Sequence, residues 1–139
     1  MQMSEAAAGV VELRIPRRPE WVAVARLAVA AVANRLNFSI EEIEDVKLAV
    51  AEACTNCILQ REAADQIEIA CETKEDGITV RVRSFAGPAA SIERPPEIEE
   101  QQQVGELGIF LIRSLMDNVN YEHDRGSGTD LVMTKKVSG

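Results

Sequence analysis

The sequence predicts an α+β fold, a two-layer α/β sandwich in which helices cover one face of a mixed, mostly antiparallel sheet. Five segments alternate apolar and polar side chains with the two-residue period of half-buried strands. Three other segments repeat apolar side chains at helical spacing, and the order of elements is β-α-α-β-β-loop-α-β-β. Short turns rich in glycine and aspartate join neighbouring strand segments, which favours antiparallel hairpins.

The first half of the chain contains one strand and two helices. Residues 10–15 alternate in polarity and predict the first strand. Apolar side chains then recur at helical spacing from Pro19 to about residue 37, with proline suited to the first turn. Ser39, with Glu42 three residues later, forms a capping box for a second helix that extends to about residue 62.

The second half contains two hairpins, separated by a loop and a helix. Residues 66–72 and 78–84 alternate on either side of an Asp-Gly turn. Residues 85–104 hold three prolines and lack periodicity, which predicts a long loop; loops of about 20 residues are uncommon unless they are functional lids or disordered. A helix with glycines at its entrance covers residues 105–117, and a hairpin around "DRGSG" completes the sheet.

Length and composition set the class of protein. The chain has 139 residues, the size of one ordinary domain, and we expect a single domain over residues 1–139. Hydrophobic residues make up 46% and charged residues 27%, which is typical of a globular protein. No apolar run approaches the roughly 20 residues of a membrane span, and the N-terminus lacks the pattern of a secretory signal. We therefore expect a cytoplasmic protein that does not bind a membrane.

Charge and cysteine content exclude further classes. A net charge of -8 argues against nucleic acid as a partner, because that affinity depends largely on Lys and Arg. Three cysteines are a poor disulfide framework, so reduced thiols are expected. Cys54 and Cys57 form a C-x-x-C inside a predicted helix, which favours ordinary packing over a redox pair. The only histidine, His123, is distant in sequence, which argues against zinc, and we expect an exposed strand residue without a role.

Two polar side chains interrupt an otherwise small and apolar helical segment, "AVAEACTNCILQ" at residues 49–60. Glu52 and Asn56 lie four residues apart, and Asp45 falls within roughly 40° of both on a helical wheel. Alanines beside this stripe leave space, as the wall of a pocket requires. A solvated polar face fits the same spacing, so the pattern alone leaves both interpretations open.

The glycines at positions 105 and 108 indicate an anion site. Glycines before a helix can present backbone N–H groups and the positive end of the helix dipole to a phosphate. A turn that needs flexible residues is the alternative interpretation. The sequence has no G-x-x-x-x-G-K-[ST] and no strand that leads into G-x-G-x-x-G, which excludes a P-loop and a dinucleotide-binding fold.

The order of these motifs resembles a known family. "IEDVKLAVAEACTN", a hairpin, a long loop and "GELGIFLIRSLMDNVNYEHDRGSGTDLVM" are similar to the bacterial anti-sigma serine kinases of the RsbW and SpoIIAB type. These belong to the ATPase superfamily shared by gyrase and the sensor histidine kinases. The resemblance spans nearly the whole chain and is most specific at Glu52 and Asn56 and at residues 105–117. It implies a Bergerat-type ATP-binding fold, with residues 85–104 as the ATP lid.

The resemblance also implies a role for each matching residue. Glu52 matches the general base that accepts a proton from the attacking hydroxyl or water. Asn56 matches the asparagine that holds Mg²⁺ against the nucleotide phosphates. Gly105 and Gly108 match the second glycine box, whose amides reach the phosphates, and Thr129 matches a site near the adenine. ATP and Mg²⁺ are the implied cofactors.

One stretch departs from the family's pattern. Family members carry D-x-G-x-G after the second hairpin strand, and its aspartate accepts a hydrogen bond from the adenine amino group. Here Ser84 stands at the aspartate position, Ala86 and Pro88 stand at the glycine positions, and Gly87 is out of register. A serine hydroxyl accepts one hydrogen bond, but loss of the charge-assisted bond costs about 1 kcal/mol or more. Ser84 and Gly87 remain the candidates for the adenine site.

Three functions are compatible with these observations. The first is a serine kinase that phosphorylates an anti-anti-sigma partner of the STAS type, sequesters a sigma factor and acts as a homodimer, as the resemblance implies. The second is a nucleotide-degenerate pseudo-kinase that serves as a protein-binding regulatory module, which Ser84 favours. The third is a small-ligand regulatory domain of similar layering, and the order of the motifs argues against it.

Overall fold

The computed structural model describes residues 10–60, 63–87, 98–124 and 126–138. Its five strands and three helices are β1 (Val10–Pro16), α1 (Val22–Ala33), α2 (Ile40–Ile58), β2 (Ala63–Lys74), β3 (Gly77–Ala86), α3 (Ile98–Leu115), β4 (Asn118–Asp124) and β5 (Gly128–Lys136). A single 3-10 turn, Pro19–Trp21, precedes α1.

The strands form one sheet in the order β1-β2-β3-β5-β4. Every neighbouring pair among them is antiparallel. The predicted α+β sandwich is confirmed, but the described strands contain no parallel pair, whereas a mixed sheet was expected. The connection through α3 and β4 returns the chain to β3 in the reverse direction, which makes the β3–β5 pair antiparallel as well.

The core lies between one face of the sheet, called here the helix-facing side, and the three helices. Alternate strand residues point into this layer, as the two-residue period requires. Fully buried side chains from both layers are Ile67, Ile69, Val80, Val82, Leu131 and Met133 from the sheet, with Val29, Val46, Val50 and Ile112 from the helices.

The other face of the sheet, called here the open side, carries charged side chains. Arg14, Glu68, Arg83 and Asp130 occupy matching positions on β1, β2, β3 and β5. The guanidinium of Arg81 donates two hydrogen bonds to the carboxylate of Asp130, which lowers the pKa of Asp130 below its ordinary value. The open side is therefore a ladder of alternating charges.

The capping box predicted for α2 is confirmed. The Ser39 hydroxyl accepts a hydrogen bond from the Glu42 amide at 3.1 Å, and the Glu42 carboxylate accepts one from the Ser39 amide at 2.8 Å. The helix ends at Ile58 rather than at about residue 62. Arg17 donates to the Ile58 carbonyl at 2.8 Å and to the Ala64 carbonyl at 2.9 Å, which ties the end of α2 to the start of β2.

The first helix also ends earlier than predicted. It stops at Ala33, and the chain tightens into a turn through residue 37. The amides of Arg35 and Leu36 bond to carbonyls three residues back, at Val32 and Ala33. These shorter bonds are typical of a fraying helix end, and apolar spacing does not reveal them.

The predicted loop over residues 85–104 is too long at both ends. Residues 85 and 86 belong to β3, residues 98–104 belong to α3, and residues 88–97 lie outside the described residues. The segment "IEEQQQV" contains good helix formers and no glycine or proline, which favours a helix. Gly105 and Gly108 consequently lie inside α3, so the predicted glycine-bearing helix entrance is wrong.

Candidate active site

Glu52 and Gly108 face each other across the contact between α2 and α3. A Cβ built at Gly108 would lie 3.3 Å from Oε2 of Glu52. Glu52 is half-buried, so its carboxylate lies at the boundary between the helix layer and solvent. The missing side chain at Gly108 thus makes room for a carboxylate that remains accessible.

Asn56 lies one turn beyond Glu52 on α2 and is only 2% exposed. Its carboxamide shares a hydrogen bond with the hydroxyl of Tyr121 on β4. Burial raises the pKa of the Tyr121 phenol above its ordinary value, and the hydrogen bond with Asn56 opposes that rise. Of the two interpretations of the polar stripe, the solvated face does not describe Asn56, because this side chain is enclosed.

Asp45, the third member of the predicted stripe, serves a different purpose. The Lys135 ammonium lies 3.4 Å from an Asp45 carboxylate oxygen and also donates to the Leu115 carbonyl at 2.6 Å. This ion pair links α2, the end of α3 and β5. Asp45 therefore contributes to the packing of the helix layer rather than to the site.

Ser84 lies on β3, and its hydroxyl contacts Cys57, the residue that follows Asn56 on α2. It is 1% exposed, and its hydroxyl oxygen makes no ordinary hydrogen bond to any described residue. Burial raises the pKa of the Cys57 thiol to about 11, and its contact with the Ser84 hydroxyl opposes the rise. Cys54, Cys57 and Cys71 are all buried and unbridged, which confirms that Cys54 and Cys57 are packed as predicted.

Thr129 stands directly opposite Ser84 in the β3–β5 register and is 3% exposed. Its hydroxyl oxygen lies 2.8 Å from Nδ1 of His123 on β4. The preceding residue, Gly128, has a φ of 115°, and any Cβ there would collide with the Ser84 carbonyl oxygen. Glycine at position 128 therefore permits the close approach of β5 to the backbone of β3 at Ser84.

A pocket of about 260 Å³ lies at the edge of the sheet, and open-side residues form much of its lining: Arg83, Phe85, Glu122, Asp124 and Asp130. Ser84 and Thr129 also border it, but both are almost fully buried, so this pocket does not expose their hydroxyls. Gly87 lies one residue beyond the end of β3, and Gly105 lies in the backbone of α3. The described contacts bring neither of these two glycines to the buried hydroxyls.

Two residues of this cluster were missed by the sequence reasoning. Neither Tyr121 nor His123 received a role, although His123 is an exposed strand residue, as expected. Both lie on the helix-facing side of β4, opposite Leu131 and Thr129 respectively. The two-residue period of β4 already placed them on one face, but only the register with β5 shows that this face borders Asn56 and Thr129.

Comparison with known proteins identifies the family. A family model described as a histidine kinase-like ATPase domain matches residues 15–135. The chain belongs to the histidine kinase-like ATPase family. It is 36% identical to the serine-protein kinase RsbW of Bacillus cereus (strain Q1), over 91% of this chain and 84% of that protein. It is 37% identical to the enzymes of the same name from Listeria innocua and Listeria monocytogenes, over 92% of this chain and 87% of each.

Family membership confirms the resemblance drawn from the spacing of Glu52 and Asn56 and from the glycine segment. Within the described part of the chain, none of the helices is both long and apolar enough to cross a membrane. The fold, a five-stranded antiparallel sheet beneath three helices, is consistent with this family.

The residues present fit a nucleotide with Mg²⁺. Within the described ranges, no three His, Cys, Asp or Glu side chains are grouped so that they could hold a metal ion. Mg²⁺ is commonly held by one or two protein oxygens together with substrate phosphates and water, and the carboxamide of Asn56 is an oxygen ligand of that kind. The buried Ser84 hydroxyl has no ordinary hydrogen bond to a described residue, which suits a polar ligand on the helix-facing side.

Proposed function

We propose that this protein is an ATP- and Mg²⁺-dependent serine kinase that phosphorylates a STAS-type anti-anti-sigma partner and sequesters a sigma factor. The observation that carries the proposal is the pair on α2. Glu52 lies accessible against Gly108, and Asn56 is enclosed one turn away. Similarity to the serine-protein kinases named RsbW supports the reaction class and the partners. A cytoplasmic homodimer is part of the same proposal.

Each residue of the pair has a distinct role in the proposed reaction. When bound, Mg²⁺ neutralises charge on the nucleotide phosphates, and the carboxamide oxygen of Asn56 would hold it. The Glu52 carboxylate accepts the proton of the attacking serine hydroxyl, a general-base role that contributes about 10²–10⁴-fold to rate. Its half-buried position allows a partner's serine to reach it.

The remaining candidates divide by their positions. Ser84 and Thr129 are paired in the β3–β5 register on the helix-facing side and are proposed to contact the base. Gly108 provides space beside Glu52. In a regular helix the amides of Gly105 and Gly108 bond to carbonyls of the preceding turn. Inside α3 these amides are therefore already engaged and do not point to a phosphate. Gly87 and Gly105 stay candidates for the nucleotide site through the family resemblance.

A pseudo-kinase is the second candidate function, and one observation favours it. The buried position that the resemblance aligns with an adenine-binding aspartate holds Ser84, which supplies no charge to a bound base. A protein that binds partners without turnover retains the fold and the surface of a kinase. The two candidates differ in one measurable property, which is phosphoryl transfer.

Calorimetric titration with Mg-ATP and Mg-ADP tests nucleotide binding, with Asn56→Ala as the variant that removes the carboxamide. Incubation with Mg-ATP and the cognate antagonist tests phosphoryl transfer, with Glu52→Gln as the variant that removes the base. We expect micromolar binding that Asn56→Ala abolishes, and transfer that Glu52→Gln lowers about 10²–10⁴-fold without loss of binding. Binding without transfer would identify a pseudo-kinase. A folded protein that binds neither nucleotide would overturn the kinase and favour the nucleotide-degenerate binding module.

A further inference from the structure

We propose that the edge strand β1 joins two copies of this chain, by antiparallel pairing with β1 of the partner subunit about a two-fold axis at Leu13. The sheets of the two protomers then form one continuous sheet. The inference deepens the homodimer of the proposed function, on which it rests for the expectation of two copies, by naming the surface that joins them. The direction of the backbone groups along β1 and the spacing of its charges carry the inference.

The strand β1 lies at one end of the sheet order β1-β2-β3-β5-β4, and among the described strands it pairs with β2 alone. An edge strand presents a row of unpaired N–H and C=O groups, which is a template for pairing with another chain. Proteins block such an edge with like charges, with proline or with a covering segment. The side chains of β1 therefore decide whether a second copy can pair with it.

The backbone groups on the outer edge of β1 belong to its even-numbered residues. The Arg17 amide donates to the Asp65 carbonyl at 2.8 Å, one step beyond the last pair of the β1–β2 register. These groups alternate in direction along an antiparallel strand, so Glu12 and Arg14 direct their N–H and C=O groups away from β2. Pro16 belongs to the same outward set, where its missing N–H removes no hydrogen bond to β2.

The charges on β1 select one register for the pairing of two copies. In the register centred on Leu13, Glu12 lies opposite Arg14 of the partner subunit. Such a pair exchanges both of its N–H···O hydrogen bonds, and the two-fold axis repeats it. A shift of two residues in either direction places Glu12 opposite its own counterpart or Arg14 opposite its own. Like charges directly opposite each other are destabilising, so the register centred on Leu13 is preferred.

Both charged side chains are available for this contact. Glu12 is exposed in the protomer, and the Arg14 side chain is 69% exposed. The ion pair of Arg14 with Glu68 spans 3.9 Å, and an exposed pair at that distance holds the guanidinium only weakly. Each guanidinium can therefore turn to Glu12 of the partner subunit without the loss of a strong contact.

The apolar side chains near this edge also fit a second copy. Leu13 is only half-buried, and in the proposed register it packs against Leu13 of the partner subunit. A two-fold axis perpendicular to the sheet keeps the helices of both protomers on one side. The helix that contacts β1 is α1, and α1 and the turn before it carry the exposed side chains Trp21, Val24 and Leu27. A second α1 across the axis would cover this exposed apolar stripe.

The other edge strand, β4, does not share this charge pattern. Its residues, Asn118–Asp124, include two carboxylates, Glu122 and Asp124, and no lysine or arginine. No register of β4 with its own copy therefore opposes a lysine or arginine to a carboxylate. Self-complementary charge is a property of β1 and not of β4.

Charge reversal with rescue by mixing tests the inference on the whole chain. The chain has a mass of 15.2 kDa, and sedimentation equilibrium is expected to give twice that mass for the unmodified protein. Arg14→Glu and Glu12→Arg each oppose like charges, so each is expected to raise the dissociation constant of the dimer by about tenfold to a hundredfold. An equimolar mixture of the two variants opposes unlike charges again and is expected to form a heterodimer. Glu122→Arg, at the other edge of the sheet, is the control and should leave the dimer unchanged.

Hydrogen exchange of the backbone amides gives a readout that depends on the register. The amides of Glu12 and Arg14 are expected to be protected in the dimer and to lose protection on dilution. The amides of Leu13 and Ile15 point to β2 and should stay protected at every concentration. Equal exchange of all four amides at every concentration would contradict the proposed pairing.

The outcomes separate this inference from the proposed function. A dimer that both reversals leave intact, or reversals that mixing does not rescue, would overturn the inference and leave the proposed homodimer standing. An unmodified protein that is a monomer would overturn the homodimer as well, while phosphoryl transfer would still decide the kinase. Far-UV circular dichroism shows whether each variant folds, and hydrogen exchange of the unmodified protein decides the question if one does not.

Discussion

Glu52 and Gly108 form a matched pair across the interface between α2 and α3, because a Cβ at Gly108 would lie 3.3 Å from Oε2 of Glu52. Among the described glycines only Gly128 has a positive φ, so backbone conformation does not explain the glycine at 108. A glycine inside a helix costs about 0.5–1 kcal/mol relative to alanine. The structural benefit at this position is the space that the carboxylate occupies.

Replacement of Gly108 by alanine is expected to raise stability and lower activity. Alanine favours the helix, and the half-buried Glu52 side chain can move by a few tenths of an ångström, so the melting temperature should rise by about 2–4 °C. Displacement of the base should reduce phosphoryl transfer by about tenfold, since rate depends steeply on position. Thermal melts and single-turnover transfer measure the two effects. Ser114→Ala, elsewhere on α3, is the control, and an unchanged transfer rate in Gly108→Ala would show that the contact does not position Glu52.

Arg17 is expected to contribute strongly to stability, because it ties the end of α2 to the start of β2. Arg17→Met removes charge-assisted hydrogen bonds to the Ile58 and Ala64 carbonyls, and the free energy of unfolding should fall by about 2 kcal/mol. Arg14→Met is the matched control, because the Arg14 side chain is 69% exposed and its ion pair with Glu68 spans 3.9 Å. Urea unfolding measures the free energy of unfolding of both variants. Equal losses in the two variants would contradict the assigned role of Arg17.

Much of the fold was predictable because its signals are local. The first strand, the capping box of Ser39 and both hairpins follow from neighbouring residues, and the structure confirms each. The end of α2 was not predictable, since it depends on Arg17, which is 41 residues away from Ile58. The start of α3 was missed because prolines at 88, 95 and 96 obscured a helix-forming segment immediately after them.

The residues of the candidate site likewise divide into those that local sequence predicts and those that depend on long-range contacts. Glu52 and Asn56 were found because residues four apart share a helix face, which is a local property. Tyr121 and His123 were not, because their contacts with Asn56 and Thr129 depend on how β4 pairs with β5 and how α2 packs on the sheet. Ser84 was located by family resemblance, and its burial beside Thr129 was visible only in the structure.

The three thiols are expected to be unreactive in the folded protein. Burial raises the pKa of Cys57 and of Cys71 to about 11 and raises that of Cys54 further. Because the folded state favours the protonated thiols, stability should fall as pH rises from about 9 towards 11. A disulfide reagent such as dithiobis(nitrobenzoate) at pH 8 should label no thiol before unfolding and all three in guanidinium. Rapid labelling of Cys54 and Cys57 in the native protein would contradict their packed position and favour a redox pair.

The hydrogen bond between Tyr121 and Asn56 is expected to orient the carboxamide proposed to hold Mg²⁺. Tyr121→Phe removes the hydroxyl and keeps the ring, so the free energy of unfolding should fall by about 1 kcal/mol and Mg-ATP affinity should weaken. A double-mutant cycle with Asn56→Ala isolates the interaction, because the two changes should be non-additive in stability by about 1 kcal/mol. Urea unfolding and calorimetry on the four proteins supply the data. Strict additivity in stability would mean that the two side chains act independently, and the orientation of Asn56 would then depend on its packing within α2 alone.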